Sequence, residues 1–304
     1  VATVLLTGAS GFIGSELARS YDRDGHRVVR LTRADAPQGR DAVGWNAERG
    51  WIDEAALHAL TPAPEIVIHL AGEPIAQRWT PWRKQAIRDS RVNGTAALAK
   101  AIGALTVPPR VFVSGSAIGY YGTDRGDELL RETSAPGRDF LAQTAMAWEA
   151  ATAAAVRAGI RVVMPRTGVV LGRNGGAMAR LLLPFRLGVG GRIGSGRHWM
   201  SWISLEDAVR ALRFVAETST VEGAVNLSAP APVRSVEFTR ALGRALHRPT
   251  IVPAPAFALK LVFGEMAEAT ILASQRVVPE RLAGAGFEFR HPRVEDALAF
   301  ELRR

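Results

Sequence analysis

Val4-Leu5-Leu6-Thr7-Gly8-Ala9-Ser10-Gly11-Phe12-Ile13-Gly14-Ser15-Glu16-Leu17 changes character part-way along, and the fold follows from that change. An apolar run of strand character stops at Gly8, and an amphipathic helical pattern begins near Phe12. Gly8, Gly11 and Gly14 stand three residues apart across the turn. The first glycine permits a tight turn, the second lets backbone approach a pyrophosphate, and the third lets helix pack closely on strand. Free amides at the helix start then favour an anion. A glycine triplet alone also describes an ordinary turn. Its place between a strand and a helix selects the dinucleotide-binding reading, with Gly8, Ser10, Gly11, Phe12, Ile13 and Gly14 bordering the cofactor.

Outward from this turn, strand and helix alternate. A second strand is expected at Arg27–Thr32, a loop over 39–47, and a short helix over 53–60 capped by Asp53. A buried strand over 65–71 precedes a long helix over 82–105, where Ile87, Val92, Leu98 and Ile102 recur at helical spacing. A strand over 110–114, a loop through Gly122, an alanine-rich helix over 139–158 and a strand over 160–164 follow. Such alternation implies an α/β fold, a doubly wound parallel sheet of the Rossmann type. Past Gly168 the rhythm changes. Segment 172–196 is dense in glycine with a helix over 177–187, then come a helix Leu205–Glu217 and a strand over 224–227. Helical patterns at Ser235–Leu246, Ala256–Phe263, 266–273, 279–283 and 293–302 suggest a smaller, mainly helical C-terminal lobe. The expected division is 1–170 with 205–228 as the dinucleotide-binding domain, and 171–204 with 229–304 as the substrate-side lobe.

Composition narrows the class. The 304 residues suffice for a large core, and no apolar run is long enough to cross a membrane. There is no cysteine, which removes disulfides, thiolate metal sites and a cysteine nucleophile. The six histidines lack metal-ligand spacing, so no metal is expected. A strand pattern at the first residues leads us to expect no signal peptide and a cytoplasmic location. The net charge of +9 rests on arginine, since only Lys84, Lys100 and Lys260 are lysines. These arginines are dispersed without interleaved aromatics, so we expect neither nucleic acid nor membrane as partner. The expected partner is a small-molecule substrate, and the chain is expected to be a monomer or homodimer.

Cofactor choice falls at the end of the second strand. An acidic residue there would accept the ribose hydroxyls of NAD, whereas arginine accommodates the extra phosphate of NADP. Thr32 occupies the acidic position and Arg33 follows, while Asp35 lies past the reach of the ribose. The expected cofactor is therefore NADP (NADPH), with a solvated loop arginine as the alternative role for Arg33.

These landmarks resemble the extended short-chain dehydrogenase/reductases. The glycine fingerprint, His69-Leu70-Ala71-Gly72, Asn93-Gly94-Thr95 and Ser114-Gly115-Ser116-Ala117 match in order. More narrowly the chain is similar to the atypical subgroup called "epimerase family protein", with a C-terminal domain of unassigned function. That likeness is carried by Leu70-Ala71-Gly72-Glu73-Pro74-Ile75, Gly119-Tyr120-Tyr121-Gly122, Trp148-Glu149, Gly194-Ser195-Gly196-Arg197-His198-Trp199 and Gly264-Glu265-Met266. The resemblance extends the cofactor side to Leu70, Ala71, Gly72, Asn93, Ser114, Pro165 and Thr167. It makes Ser116 the serine that holds a substrate carbonyl, with a turn serine bonding its own backbone as the alternative.

One departure outweighs the matches. The superfamily's acid/base pair is Tyr-x-x-x-Lys on the helix over 139–158, yet that helix has neither tyrosine nor lysine. Phe140 or Leu141 stands near the tyrosine position, with Thr144 or Ala145 four residues on. Tyr120 and Tyr121 remain as candidate proton donors or as pocket wall. His198, Trp199 and Trp202 are expected on the substrate side of the cleft, with a hydrophobic anchor as the alternative. The sequence thus reads as an NADP-dependent oxidoreductase-like protein for a small organic molecule. A nucleotide-sugar epimerase/dehydratase and a non-catalytic NADP-binding regulator are the rival readings.

Overall fold

The computed structural model describes residues 1–33 and 39–303. Asp35 lies outside the described residues. The chain runs β1 (Thr3–Thr7), α1 (Phe12–Arg23), β2 (Arg27–Thr32), β3 (Ala42–Asn46), β4 (Trp51–Ile52), α2 (Glu54–His58), β5 (Ile66–His69), α3 (Pro81–Gly103) and β6 (Val111–Ser114). Next come β7 (Ser116–Ala117), a tight helical turn Ile118–Tyr121, β8 (Asp124–Leu130), α4 (Phe140–Ala150), α5 (Ala153–Arg157), β9 (Arg161–Thr167), β10 (Val169–Leu171) and α6 (Gly176–Arg186). The remainder is β11 (Trp199–Met200), β12 (Trp202–Ser204), α7 (Leu205–Glu217), β13 (Gly223–Leu227), β14 (Val233–Arg234), α8 (Ser235–Leu246) and α9 (Ala256–Phe263). It closes with a π-helical turn Ala267–Ile271, β15 (Ser274–Val277), α10 (Glu280–Gly284) and α11 (Val294–Arg303).

The main sheet has the order β13-β9-β6-β5-β1-β2-β3-β4, parallel except for β4 at its edge. Alternation along β1 explains the two layers. Val4 and Leu6 pack with Leu17 and Tyr21 of α1 and Leu212 and Val215 of α7. Leu5 faces the other way, toward Leu98 and Ile102 of α3 and Ala155 of α5. The strand order reverses between β1 and β5, whose last residues Thr7 and His69 are register partners. Ligands of open α/β sheets bind beyond the carboxyl ends of strands at such a switch point.

Three local expectations need correction. Segment 39–47 holds β3 rather than only a loop, because Val43 and Trp45 bury themselves against the sheet edge while Gly44 dilutes the strand pattern. The helix expected over 139–158 breaks into α4 and α5, where Thr152 Oγ1 donates to the carbonyl of Glu149 at 2.8 Å. The helical pattern over 266–273 is a π-helical turn. The structure also adds a pair that had no expectation: β8 and β15 run parallel with a shift between Ser274 and Arg276. The polar run Asp-Arg-Gly-Asp-Glu of β8 carries no strand signal of its own.

Beyond the sheet, Leu182, Phe185, Trp202, Phe238, Leu242 and Leu298 form a separate core joining α6, α8, α11 and β12. Among the described residues no helix is long and apolar enough to cross a membrane.

Candidate active site

At the switch point the glycine turn is shaped by contacts that only glycine tolerates. Gly8 has a φ of +70°, which L side chains rarely adopt. A Cβ on Gly14 would lie 2.8 Å from the carbonyl carbon of Gly8 and closer still to its oxygen. Gly11 N donates to Gly8 O at 2.8 Å, closing the turn. Gly11 is also the N-cap of α1, with no side chain capping the helix and no acidic residue in its first turn. The helix start is therefore open to an anion. Ser10 and Gly11 are exposed, Ile13 is half-buried, and the ring of Phe12 packs under Gly172 and Gly175 of the loop before α6.

Thr7 ties this turn to β5. Its Oγ1 accepts the amides of Leu70 and Ala71, each at 3.1 Å, and so donates its own proton to Nδ1 of His69 at 2.7 Å. His69 is thereby held as the tautomer protonated on Nε2. Burial, aided by the charge of Arg91, pushes its pKa down to about 3. It is a neutral strut, not an acid.

Several polar groups at the carboxyl edge have no protein partner. The Oγ atoms of Thr32 at the end of β2 and Ser114 at the end of β6 are buried without a hydrogen bond among the described residues. Arg33 is exposed just beyond β2. Open amides at α1 and orphaned hydroxyls at two strand ends fit a bound dinucleotide. Pro165 is buried within β9 opposite Val225, and Thr167 ends that strand with Oγ1 turned back to the carbonyl of Pro165 at 3.3 Å. Asn93 is a correction. It is exposed on α3 and donates to the carbonyl of Glu48 at 3.0 Å, so it braces the segment after β3 rather than the cleft.

Ser116 begins β7 and is buried, its hydroxyl donating to Glu149 Oε1 at 2.7 Å. Glu149 is also gripped by Arg166, whose Nε and Nη2 reach its two oxygens at 2.8 and 2.9 Å. Burial alone would lower the pKa of Arg166, but hydrogen bonds and charge from Glu149 raise it overall. Arg166 Nη1 continues to Tyr121 Oη at 3.2 Å and to the carbonyl of Glu132 at 3.1 Å. Tyr121 corrects the expectation of a proton donor. It is fully buried, and its hydroxyl donates to Asn226 Oδ1 at 2.6 Å. Burial also raises its pKa, which disfavours the phenolate. Tyr120 is half-buried, with Arg166 Cζ 3.3 Å from its ring centroid.

Phe140, at the first position of α4, meets Trp79 edge-on at 5.2 Å between centroids. The ammonium of Lys84 lies 4.9 Å from the Phe140 centroid and pairs with Glu265 at 2.6 Å. A cation thus does stand beside Phe140, one of the two residues nearest the expected tyrosine position, but it comes from α3 and faces a ring without a hydroxyl. These two rings open onto a cavity of about 720 Å³ also lined by Asp139, His198, Lys260 and Glu265. Burial lowers the pKa of His198. Of the three expected substrate-side residues, only His198 lines this cavity. Trp202 is fully buried in the core of α6, α8 and α11, its indole donating to the carbonyl of Ala231. Trp199 is stacked against Arg234 and Arg276 and donates to Asp127 Oδ1 at 2.7 Å.

A family model described as the NAD dependent epimerase/dehydratase family matches residues 4–228. The chain belongs to that family. Residues 254–301 match a second model, a domain of unknown function called DUF1731. An epimerase family protein of Mycobacterium bovis is 43% identical over 304 residues, covering 100% of this chain and 98% of the relative. A chloroplastic homologue of epimerase family protein SDR39U1 from Arabidopsis thaliana is 37% identical, over 97% of this chain and 85% of the relative. Among solved structures, human epimerase family protein SDR39U1, crystallised with NADPH, aligns with a TM-score of 0.88 and 32% identity over 99% of both chains. A nucleoside-diphosphate sugar epimerase from Corynebacterium glutamicum aligns with a TM-score of 0.81 and 34% identity, over 99% of this chain and 58% of that one. The expected subgroup and the Rossmann-type sheet are borne out.

Within this epimerase-family chain, Glu149 and Arg166 are the site residues that sequence reasoning left without a role. Each carried a signal. Glu149 is the lone acidic residue in the alanine-rich α4, and Arg166 is a charge inside the buried strand β9. Charges at such places require partners.

Proposed function

We propose that the protein binds NADP(H) and catalyses hydride transfer on a small organic substrate held beyond the carboxyl edge of the sheet. The observation that carries the reading is the uncapped glycine turn at the switch point between β1 and β5. The human relative crystallised with NADPH supports it. In this reading the amides at the start of α1 hold the pyrophosphate, while Thr32 and Arg33 meet the adenosine ribose and its phosphate. When bound, the nicotinamide supplies or accepts a hydride.

The chain's own residues then orient the acceptor. Because the hydroxyl proton of Ser116 is committed to Glu149, Ser116 can accept from a substrate hydroxyl but cannot donate to a substrate carbonyl, which corrects the expected carbonyl-holding role. Arg166 fixes the Glu149 carboxylate through two hydrogen bonds, so Ser116 is held in one rotamer. Neither Phe140 nor Leu141, the residues nearest the usual tyrosine position, carries a phenol, so no tyrosine is activated on α4, and catalysis rests on positioning rather than on a phenolate. Segments 171–204 and 229–304 serve as the substrate-side lobe through the cavity that includes His198 and Lys260.

Titrating NADPH and NADH into wild type and Arg33→Ala tests the cofactor. About a ten- to hundredfold preference for NADPH is expected in wild type, reduced in the variant. Equal wild-type affinities refute the role of Arg33, and absence of binding by both refutes the cofactor assignment. A panel of aldehydes, ketones and nucleotide sugars followed at the nicotinamide absorbance then separates oxidoreductase from epimerase. Tight cofactor binding with no turnover on any of them favours the regulator.

A further inference from the structure

Arg91, on α3, is a charged side chain that the function above leaves unused. Its Nη1 donates to the carbonyls of Glu73 and Ile87, each at 3.0 Å. Its Cζ lies 5.1 Å from the ring centroid of Trp148 on α4. A Cβ on Gly72 would sit 3.1 Å from Cζ and 3.3 Å from Nη1 and Nη2, so glycine at that position lets the guanidinium lie directly against the backbone beyond β5. Among the described residues neither Nε nor Nη2 of Arg91 has a hydrogen-bond partner, although the residue is half-buried. The Glu73 carboxylate is already engaged, paired with Arg83 at 3.0 Å. Burial pushes the pKa of Arg91 down to about 10, with Glu73 opposing, and the group stays cationic at neutral pH.

Its address gives this edge a meaning. Gly8 packs on the residues just before Gly72, since a Cβ on Gly8 would lie 3.0 Å from Ala71 N. The guanidinium therefore stands beside the segment that closes against the glycine turn. The two unpartnered nitrogens form one donor edge of a planar fork, a geometry that suits phosphate oxygens better than single hydroxyls.

We propose that Arg91 is a second anion-holding group, whose Nε–Nη2 edge grips the cofactor's diphosphate from the side facing the amides of α1. This rests on the cofactor reading above. The diphosphate is common to NADP and NAD, so Arg91 strengthens both equally, whereas Arg33 acts on their ratio.

The test is equilibrium binding of NADPH, NADH and adenosine 2′-phosphate to wild type, Arg91→Gln and Arg91→Lys, with ligand-free melting to show that each variant is folded. Arg91→Gln is expected to weaken NADPH and NADH alike by about ten- to hundredfold, with their ratio preserved. Adenosine 2′-phosphate, which lacks a diphosphate, is expected to bind as before. Arg91→Lys keeps charge but loses the fork, and should weaken both dinucleotides by a smaller factor; it carries the test alone if Arg91→Gln does not fold. Wild-type failure to bind either dinucleotide would sink the cofactor reading itself. Unchanged dinucleotide affinities in a folded variant, or an equal loss for adenosine 2′-phosphate, would overturn the role of Arg91 alone.

Discussion

Lowering the pH should destabilise the fold through His69 before most carboxylates titrate. His69 is fully buried at the end of β5, and Thr7 donates to its Nδ1 because the Thr7 oxygen already accepts two amides. A proton on Nδ1 would face an oxygen with no capacity left. Burial and then Arg91 lower its pKa from 6.5 to about 3. For a base whose native pKa is depressed, the unfolded chain takes up the proton first, so stability falls as pH drops below 6.5 and the loss levels off near 3. At about pH 4.5 the unfolded imidazole is about two units below its pKa, which removes roughly 2.7 kcal/mol relative to about pH 8. Urea unfolding across that range, on wild type and His69→Asn, measures it. Asparagine keeps an acceptor for Thr7 without the titration, and carboxylates contribute to both proteins and cancel in the difference. The wild type should lose stability more steeply by about 1.4 kcal/mol per pH unit below the ordinary imidazole value. Parallel slopes for the two proteins would refute the neutral, buried imidazole.

Two further outcomes follow from the geometry. Gly14→Ala places a methyl against the carbonyl of Gly8, so thermal melting should show a loss of about 1–3 kcal/mol and cofactor titration at least a tenfold loss; unchanged values in both would mean the turn is not closed as described. Tyr121→Phe leaves Asn226 Oδ1 and Arg166 Nη1 each short of a partner, and should cost about 1–3 kcal/mol of stability without altering cofactor affinity. Full stability with impaired catalysis on a verified substrate would restore Tyr121 to the reacting centre.

Features controlled by short-range chemistry were legible in the residues alone. Glycines at three-residue spacing exclude side chains wherever they stand, so the turn and the open start of α1 were legible without a partner in view. Strongly amphipathic helices read correctly for the same reason: the boundaries of Leu205–Glu217 and Ser235–Leu246 coincide with expectation. The lack of Tyr-x-x-x-Lys on α4 was equally plain, because composition needs no fold. Which polar groups meet depended on packing in three dimensions. Ser116 finds Glu149 from 33 residues away, and Glu149 finds Arg166 on the neighbouring β9, a match of charges invisible to periodicity. Adjacent tyrosines parted company for a similar reason: Tyr121 entered the core toward Asn226, 105 residues on, while Tyr120 stayed half-exposed on Arg166. His198 reached the cavity and Trp202 the interior, although they stand four residues apart, since the strand alternation and core of that region depend on α6, α8 and α11. Local preferences are summed over neighbours in the chain; burial and ion pairing are settled by neighbours in space.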